Sequence, residues 1–477
     1  MRLLFCCEFY HPSVGGVQEV MRQLAERMVQ WGHDVTVATT RLSHRGFDVL
    51  NGVKIAQFGV SGNSVRGMEG EVTRYQEYVA SFDGDALLIK AAQQWTFDAL
   101  WPVLDTIKAR KVFIPCGFSG LYEPSYKSYF EQLPDILRRF DHLIFYAEKY
   151  RDIDFARAHG LTNWSILPNG ASEVEFSAPN DPSFRRRHSI PKDSFVFLTV
   201  GSMTGMKGHR ELAEAFSLLD SRGKHVTLIL NGNMPLSASV IRSNVVKDLE
   251  SPALEEGYLR KAWGVTLCMG DFLLRRGKRV GGLAYRSIGV MRREGLAGVK
   301  NRLQLIVLSR LGSCITKTKA CQRTLDPLGY WMGQASKQKN KRVLQLDLPR
   351  GELVQAYMAA DLFVFASNVE YSPLVLFESV AAGTPFLSVP VGNAEEIARW
   401  TEGGVMCAAP KDDYGYTRVD PSVLATAMKK CMCDSDLLKI LGEAGRERWK
   451  SQFTWAVIGR KYEAILQSNN FDSAAFP

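Results

Sequence analysis

No stretch of this 477-residue sequence approaches the ~18 to 20 consecutive apolar residues that a membrane-spanning helix needs. No membrane-spanning helix is therefore expected, and any association with a membrane is expected to be peripheral. The apolar run at 3–7 stops at Glu8, far short of the core of a secretory signal, so export is not expected. Cysteines are few, nine in all, and neither close pair has a usual zinc or thioredoxin spacing: Cys6 adjoins Cys7, and Cys431 and Cys433 flank a single residue. Reduced thiols and a cytosolic setting follow as expectations. The first strand-to-helix turn lacks a Gly-x-Gly-x-x-Gly fingerprint, which removes the main support for a nicotinamide enzyme. There is no internal repeat or low-complexity tract. With 46% hydrophobic and 23% charged residues, the composition argues against a disordered or collagenous chain.

What the sequence does hold is length for about three domains, or two large ones. Lys and Arg outnumber Asp and Glu by 59 to 50, a surplus that permits anionic partners without demanding them. The surplus is not spread evenly. Residues 236–342 carry 21 Lys and Arg against 7 Asp and Glu, so the rest of the chain is slightly acidic. Within that stretch, 283–311 has a helical pattern in which Ile288, Met291, Leu296, Val299 and Leu303 interleave with Arg286, Arg292, Arg293, Lys300 and Arg302.

Elsewhere short β-rich runs alternate with helical patterns, as in stacked βαβ units around a mainly parallel sheet. Strands are predicted at 2–9, 34–39, 52–58, 86–89, 111–115, 142–146 and 164–170. A helix is predicted over 17–31, where Val17, Val20, Met21, Leu24 and Met28 share one face. The breaker-rich stretch 179–182, followed by Arg185, Arg186 and Arg187, reads as an interdomain linker. A second α/β unit follows, with strands at 194–201, 225–230, 343–348, 361–366 and 385–389. Its helices are predicted at 209–219, 351–360, from Pro373, and at 394–400, 421–432 and 437–449, with an amphipathic closing helix over 455–466.

Four short elements could carry chemistry. Gly15 and Gly16 stand where the first strand turns into a helix, which lets backbone amides approach an anion, although the pair also suits a plain tight turn. Pro168, Asn169 and Gly170 end the first unit's last strand, where open α/β sheets place ligands, or simply turn the chain before the linker. Lys207 lies in a Gly-containing loop with Ser202 and Arg210, suited to neutralising a diphosphate; a solvated loop lysine is the other reading. The most informative stretch is Glu370-Tyr-Ser-Pro-Leu-Val-Leu-Phe-Glu378. Ser372 as N-cap and Pro373 as first helical residue leave the amides of Leu374 and Val375 free to hold a phosphate. Glu370 and Glu378 then flank that anion and can accept hydrogen bonds from hydroxyls on either side of it. Paired glutamates at this spacing are also common on solvated surfaces.

Together these elements resemble the retaining, nucleotide-sugar-dependent glycosyltransferases of family 4. The likeness covers nearly everything except 236–342. It rests on Gly15-Gly16 with its following helix, Leu167-Pro-Asn-Gly170 with Phe176 downstream, Lys207-Gly208, and the Glu-x7-Glu element followed by Ser-Val-Ala-Ala-Gly-Thr-Pro. It implies an α/β chain of GT-B fold, with two Rossmann-like domains facing a cleft. Residues 1–178 would form the acceptor domain, completed by the C-terminal helix 455–466. Residues 190–450 would form the donor-binding domain, with 236–342 as a basic, mainly helical insert within it.

The resemblance further implies that Glu378 binds the donor ribose and that Glu370 lies against the transferred sugar. Lys207 and the amides of Leu374 and Val375, after Ser372 and Pro373, would hold the diphosphate, and Gly16 would let backbone approach donor and acceptor. Gly15, Asn169, Ser202 and Arg210 complete the expected donor site. No metal and no cofactor are implied, because these cationic and dipolar groups stabilise the leaving charge. Two departures stand out. Ser202 replaces the family's usual Arg five residues before the loop Lys, so neutralisation leans on Arg210 or another residue. The strand end where many members carry a His reads Pro115-Cys116-Gly117-Phe118-Ser119-Gly120, which leaves the catalytic base unnamed.

The implied reaction moves a hexose or related sugar from a nucleoside diphosphate to a surface glycan, with retention at the anomeric carbon. The acceptor would be a glycan or a polyprenyl-linked oligosaccharide, with 283–311 resting on the anionic cytoplasmic face of a membrane. The insert could instead be a solvated or dimerising elaboration. Two other functions compete. A GT-B-shaped nucleotide-sugar 2-epimerase has no distinctive support. A basic nucleic-acid-binding module is suggested by Tyr285, Tyr330 and Trp331 among the insert's cations, but no nucleic-acid motif accompanies them and the Glu-x7-Glu element would go unexplained. A nucleic-acid partner is therefore not expected.

Overall fold

The computed structural model describes residues 1–233, 326–413 and 415–467. The chain divides into two compact units, Met1–Gly232 with Asn340–Pro477 and, separately, Asn233–Lys339. In the second unit the helix Pro327–Ala335 is described, with the Asp326 side chain accepting from the Gly329 amide as its N-cap. The 283–311 pattern lies outside the described residues.

The first unit contains two large sheets and a two-stranded one. Strands β1 (Arg2–Cys6), β2 (Asp34–Thr40), β3 (Val49–Leu50) and β4 (Val53–Phe58) belong to the first, while β5 (Val60–Asn63) and β6 (Gly67–Gly70) form a separate hairpin. The first sheet continues with β7 (Ala86–Lys90), β8 (Arg110–Ile114), β9 (His142–Phe145) and β10 (Trp164–Ile166), in the order β10-β9-β8-β7-β1-β2-β4-β3. All its pairings are parallel except β3 with β4. Successive side chains of a strand point to opposite faces, and here both faces are covered. Leu4, Leu87 and Phe113 enter one core with Trp95 and Phe97, whereas Leu3, Phe5 and Val112 enter the other. Each fully buried side chain of this kind contributes about 1.5 to 3 kcal/mol, which is why the strands read as continuous apolar runs.

That second core is closed by two helices. Gly16–Gln30 supplies Val20, Met21, Leu24 and Met28, and Trp455–Gln467 supplies Trp455, Ile458, Tyr462 and Ile465. Arg110 donates to the Ile465 carbonyl at 2.7 Å, and His33 contacts Glu463 at 2.6 Å, fixing the closing helix at its far end.

The second sheet comprises β11 (Phe195–Val200), β12 (Val226–Asn231), β13 (Lys341–Leu346), β14 (Leu362–Phe365), β15 (Phe386–Ser388) and β16 (Gly404–Met406), all parallel, in the order β13-β12-β11-β14-β15-β16.

Several expected boundaries move. β1 stops at Cys6 rather than residue 9, and β10 at Ile166 rather than 170, while β7 gains Lys90 and β13 gains Lys341 and Arg342. The expected linker is docked rather than free. Phe184 is buried in the short helix Phe184–Arg187, and Arg185 donates to the Ala359 carbonyl at 2.7 Å and pairs with Asp361 at 2.9 Å. Among the described residues, no helix is long and apolar enough to cross a membrane.

Candidate active site

The order of the second sheet reverses between β11 and β14. From β11 the chain runs outward to β12 and β13, then returns to β14 on the other side of β11. Such a reversal opens a crevice at the C-terminal ends of the strands, where ligands bind in open α/β sheets. The register Phe197 with Leu362 and Leu198 with Phe363 keeps the two loops level. One loop carries Ser202 and Lys207 and the other Glu370. The Lys207 ammonium and the Glu370 carboxylate form an ion pair, with side chains 26% and 19% exposed. Gly208 makes the close approach of the loops possible: its φ is +70°, and a Cβ there would overlap the Ala366 carbonyl.

The second loop leads into the helix Leu374–Ala382. The expected cap is corrected here. Pro373, with φ −72° and ψ 115°, is the N-cap, so Ser372 lies one residue too early to cap, and its buried Oγ has no hydrogen-bond partner. Because no side chain caps this terminus, Leu374 and Val375 present the helix's first amides unbonded by any cap. An anion placed there meets both donors and the positive end of the helix dipole.

Glu378 follows on the same helix, almost completely buried. One of its carboxylate oxygens accepts from Arg350 at 2.7 Å and the other from the Tyr357 hydroxyl at 3.1 Å. The same Arg350 nitrogen reaches Glu175 at 2.7 Å. Burial opposes the Arg350 charge, but Glu378 and Glu175 outweigh it and hold the guanidinium protonated beyond its usual range. Burial pushes the Tyr357 phenol far up, so it acts as a donor.

The first sheet contributes two groups to this edge. Gly16, the first residue of its helix, faces the Leu374 side chain: a Cβ there would lie 3.9 Å from Leu374 Cδ1. Gly15 precedes it with φ 173°, an extended conformation open to any residue. Asn169 donates to the Ser372 carbonyl at 3.0 Å, while its own Oδ1 is buried without a partner. Arg210 does not enter the pair formed by Lys207 and Glu370. Its exposed guanidinium bonds Glu211 of the same helix at 2.7 Å. Ser202 is half-buried in the Lys207 loop. At the end of β7 the buried Lys90 donates to the Tyr146 hydroxyl at 2.5 Å, and burial pulls its ammonium below the usual lysine range.

Residues 328–448 match the family described as Glycosyl transferases group 1. The matched segment contains the Glu-x7-Glu element, Arg350 and Tyr357. Among curated proteins, the chain is similar to a D-inositol 3-phosphate glycosyltransferase of Corynebacterium diphtheriae, 32% identical over 117 residues, which is 24% of this chain and 25% of that protein. The chain thus spans about a quarter of the length of that relative. Among solved structures, sucrose-phosphate synthase from Thermosynechococcus elongatus superposes with a TM-score of 0.61 at 16% identity, covering 97% of this chain and 98% of the other. The Anabaena protein Alr3699/HepE, solved with UDP and glucose, superposes with a TM-score of 0.60 at 13% identity, covering 98% and 99%. The fold is that of GT-B glycosyltransferases, two Rossmann-like halves around a cleft.

Sequence reasoning missed Arg350 and Tyr357. They are seven apart on the helix Arg350–Ala359 and so share a face, which was a usable signal. It missed the aromatic partners of Tyr371 as well, and for those the sequence offers no local signal.

Proposed function

We propose that the protein is a glycosyltransferase that moves a sugar from a nucleoside diphosphate to a glycan or lipid-linked acceptor, with retention of anomeric configuration. The observation that carries this is the juxtaposition of Lys207, Glu370 and the uncapped amides of Leu374 and Val375 at the reversal of the second sheet. A diphosphate seated on those amides competes with Glu370 for the Lys207 ammonium. Once Lys207 turns to the phosphate, the Glu370 carboxylate is released to accept hydrogen bonds from sugar hydroxyls. Glu378 takes the ribose, with Arg350 and Tyr357 holding its carboxylate in place.

In the transfer itself, the bond from the anomeric carbon to the diphosphate oxygen breaks and a bond to the acceptor oxygen forms on the same face. The acceptor proton passes to the departing diphosphate. Lys207 and the helix amides stabilise the charge that grows on that leaving group, so no divalent metal is required. UDP-sugars are the first donors to try, since the Anabaena structure holds UDP and glucose.

The wider setting belongs to the same proposal: synthesis of a cell-surface polysaccharide in the cytoplasm, with residues 283–311 on the inner membrane face. Incubating the chain with a panel of nucleoside-diphosphate sugars and measuring nucleotide release tests the core of it. Release from one donor, raised by a suitable acceptor, is the expected result. No release from any donor overturns the assignment.

A further inference from the structure

Tyr371 sits directly after Glu370 in the loop that follows β14, yet its ring packs among residues of the first sheet. It stacks on Tyr146 with centroids 5.5 Å apart and meets Tyr150 at a tilt, with centroids 4.6 Å apart. Its hydroxyl accepts from the Tyr146 amide at 3.0 Å, with the Asp152 carboxylate nearby. Asp152 is buried and anchored in turn, accepting from the amides of Gly117 at 2.8 Å and Ile153 at 2.9 Å. Gly117 has φ +87°, a conformation that favours glycine, and a Cβ there would crowd the Tyr371 ring at 3.1 Å.

The backbone around Tyr371 is tied down residue by residue. Tyr150 donates its hydroxyl proton to the Glu370 carbonyl at 2.8 Å, and Asn169 donates to the Ser372 carbonyl at 3.0 Å. Between them the Tyr371 carbonyl accepts from the Asn393 amide at 2.9 Å, and the Asn393 side chain bonds the Tyr146 carbonyl at 2.8 Å. Two of three consecutive carbonyls are therefore held by the first sheet's half of the unit. The Glu370 carboxylate, by contrast, is held by Lys207 of the other half.

We propose that Tyr371 is a positioning residue for Glu370: its phenol pins the Glu-x7-Glu loop to the strand ends of the first sheet, so that the sugar-facing carboxylate is aligned only when the two halves are docked. This rests on the glycosyltransferase assignment. A ring alone would serve packing. A buried hydroxyl is costly unless bonded, and here the Tyr146 amide bonds it, which fixes the loop in direction as well as in depth. None of the groups assigned to the nucleotide, namely Glu378, Lys207 and the first amides of the helix, is itself bonded to the Tyr371 phenol.

The test uses the full chain and Tyr371→Phe, which keeps the ring and removes only the hydroxyl. UDP affinity is measured by calorimetry, steady-state kinetics with the active donor give kcat and KM separately, and amide hydrogen exchange is followed at Tyr146. The expected result is a UDP affinity within twofold of wild type, kcat lowered about tenfold or more by misalignment, and faster exchange at Tyr146. Tyr150→Phe, which removes the bond to the Glu370 carbonyl, should also lower kcat without weakening UDP. An unchanged kcat in Tyr371→Phe overturns the proposal, whether or not exchange rises. So does a loss confined to UDP affinity. Inactivity of the wild-type chain toward every donor overturns the underlying assignment instead, and it is seen before any substitution is made.

Discussion

One nitrogen of Arg350 lies 2.7 Å from Glu378 and 2.7 Å from Glu175, so a single guanidinium joins the second carboxylate of the Glu-x7-Glu element to residues that follow the first sheet. If Glu378 also bonds two ribose hydroxyls, each charge-assisted bond is worth ~1.5 to 3 kcal/mol. Glu378→Ala should then raise the nucleotide dissociation constant at least tenfold by calorimetry. It should also cost stability, about 1 to 3 kcal/mol in urea denaturation, because Arg350 is partly exposed and solvent softens the loss. An unchanged dissociation constant in a folded variant removes Glu378 from the donor site.

Lys207 faces a different test, because its charge counts most when the diphosphate departs. Lys207→Ala should lower kcat more than it weakens UDP binding. Wild-type turnover at saturating donor would reduce it to a loop lysine. A chelator should leave activity intact, and loss restored by added magnesium would refute the metal-free mechanism.

Gly208 carries a backbone demand that can be checked without any substrate. Gly208→Ala forces a side chain into φ +70° and against the Ala366 carbonyl, so the Lys207 loop must move. A loss of roughly 1 to 3 kcal/mol in unfolding free energy is expected. A variant as stable as wild type would mean that the loop relaxes without strain.

His209 makes stability depend on pH. It is buried with neither ring nitrogen bonded, and burial, aided by Lys207, lowers its pKa from 6.5 to about 4. Between those values the unfolded chain binds a proton that the folded chain does not, so this histidine makes stability rise with pH and fall in acid. His142, also lowered to about 4, acts in the same direction, whereas Asp152, raised by burial to about 6, acts in the opposite one. His209→Leu should reduce the stability lost between pH 7 and pH 4.5 by about 2 kcal/mol. Equal losses in both proteins would show that His209 is protonated in the folded state.

Attachment to membrane is tested on the insert. At ~1 kcal/mol per cation reaching an anionic surface, a few residues suffice for measurable binding. Replacing Arg286, Arg292, Arg293, Lys300 and Arg302 with Gln should release the protein from anionic liposomes while donor hydrolysis stays close to wild type. Salt should weaken the wild-type interaction in co-sedimentation. If the wild-type protein ignores anionic liposomes at low salt, peripheral attachment is wrong.

The alternation of strands and helices was legible because parallel strands buried on both faces leave unbroken apolar runs, as at Leu3 to Cys6. Polar ends misled in both directions. Lys90 looks like a strand terminator in the sequence but is buried against Tyr146. Ser372 before Pro373 looks like a cap, yet the extended Pro373 takes that place. The three-residue strand Gly404–Met406 and the hairpin of β5 and β6 are too short and too glycine-rich to show a period. In the site, the residue types and their order were readable. The pairing of Lys207 with Glu370 was not, because 163 residues separate them and only the adjacency of β11 and β14 brings them together. Tyr371 is the clearest case, since nothing in its neighbourhood announces a partner as remote as Tyr146.

The helix Trp455–Gln467 also has a consequence for the order in which the protein is made. Trp455, Ile458, Tyr462 and Ile465 complete a core otherwise built from the first 170 or so residues. At about 5 to 20 residues per second, a ribosome reaches them roughly 15 to 60 s after finishing the first sheet. During that interval one apolar face of the nascent sheet is only partly covered, by the helix Gly16–Gln30, which makes the half-made chain a natural client for chaperones. A truncation before Trp455 should leave that vulnerability permanent.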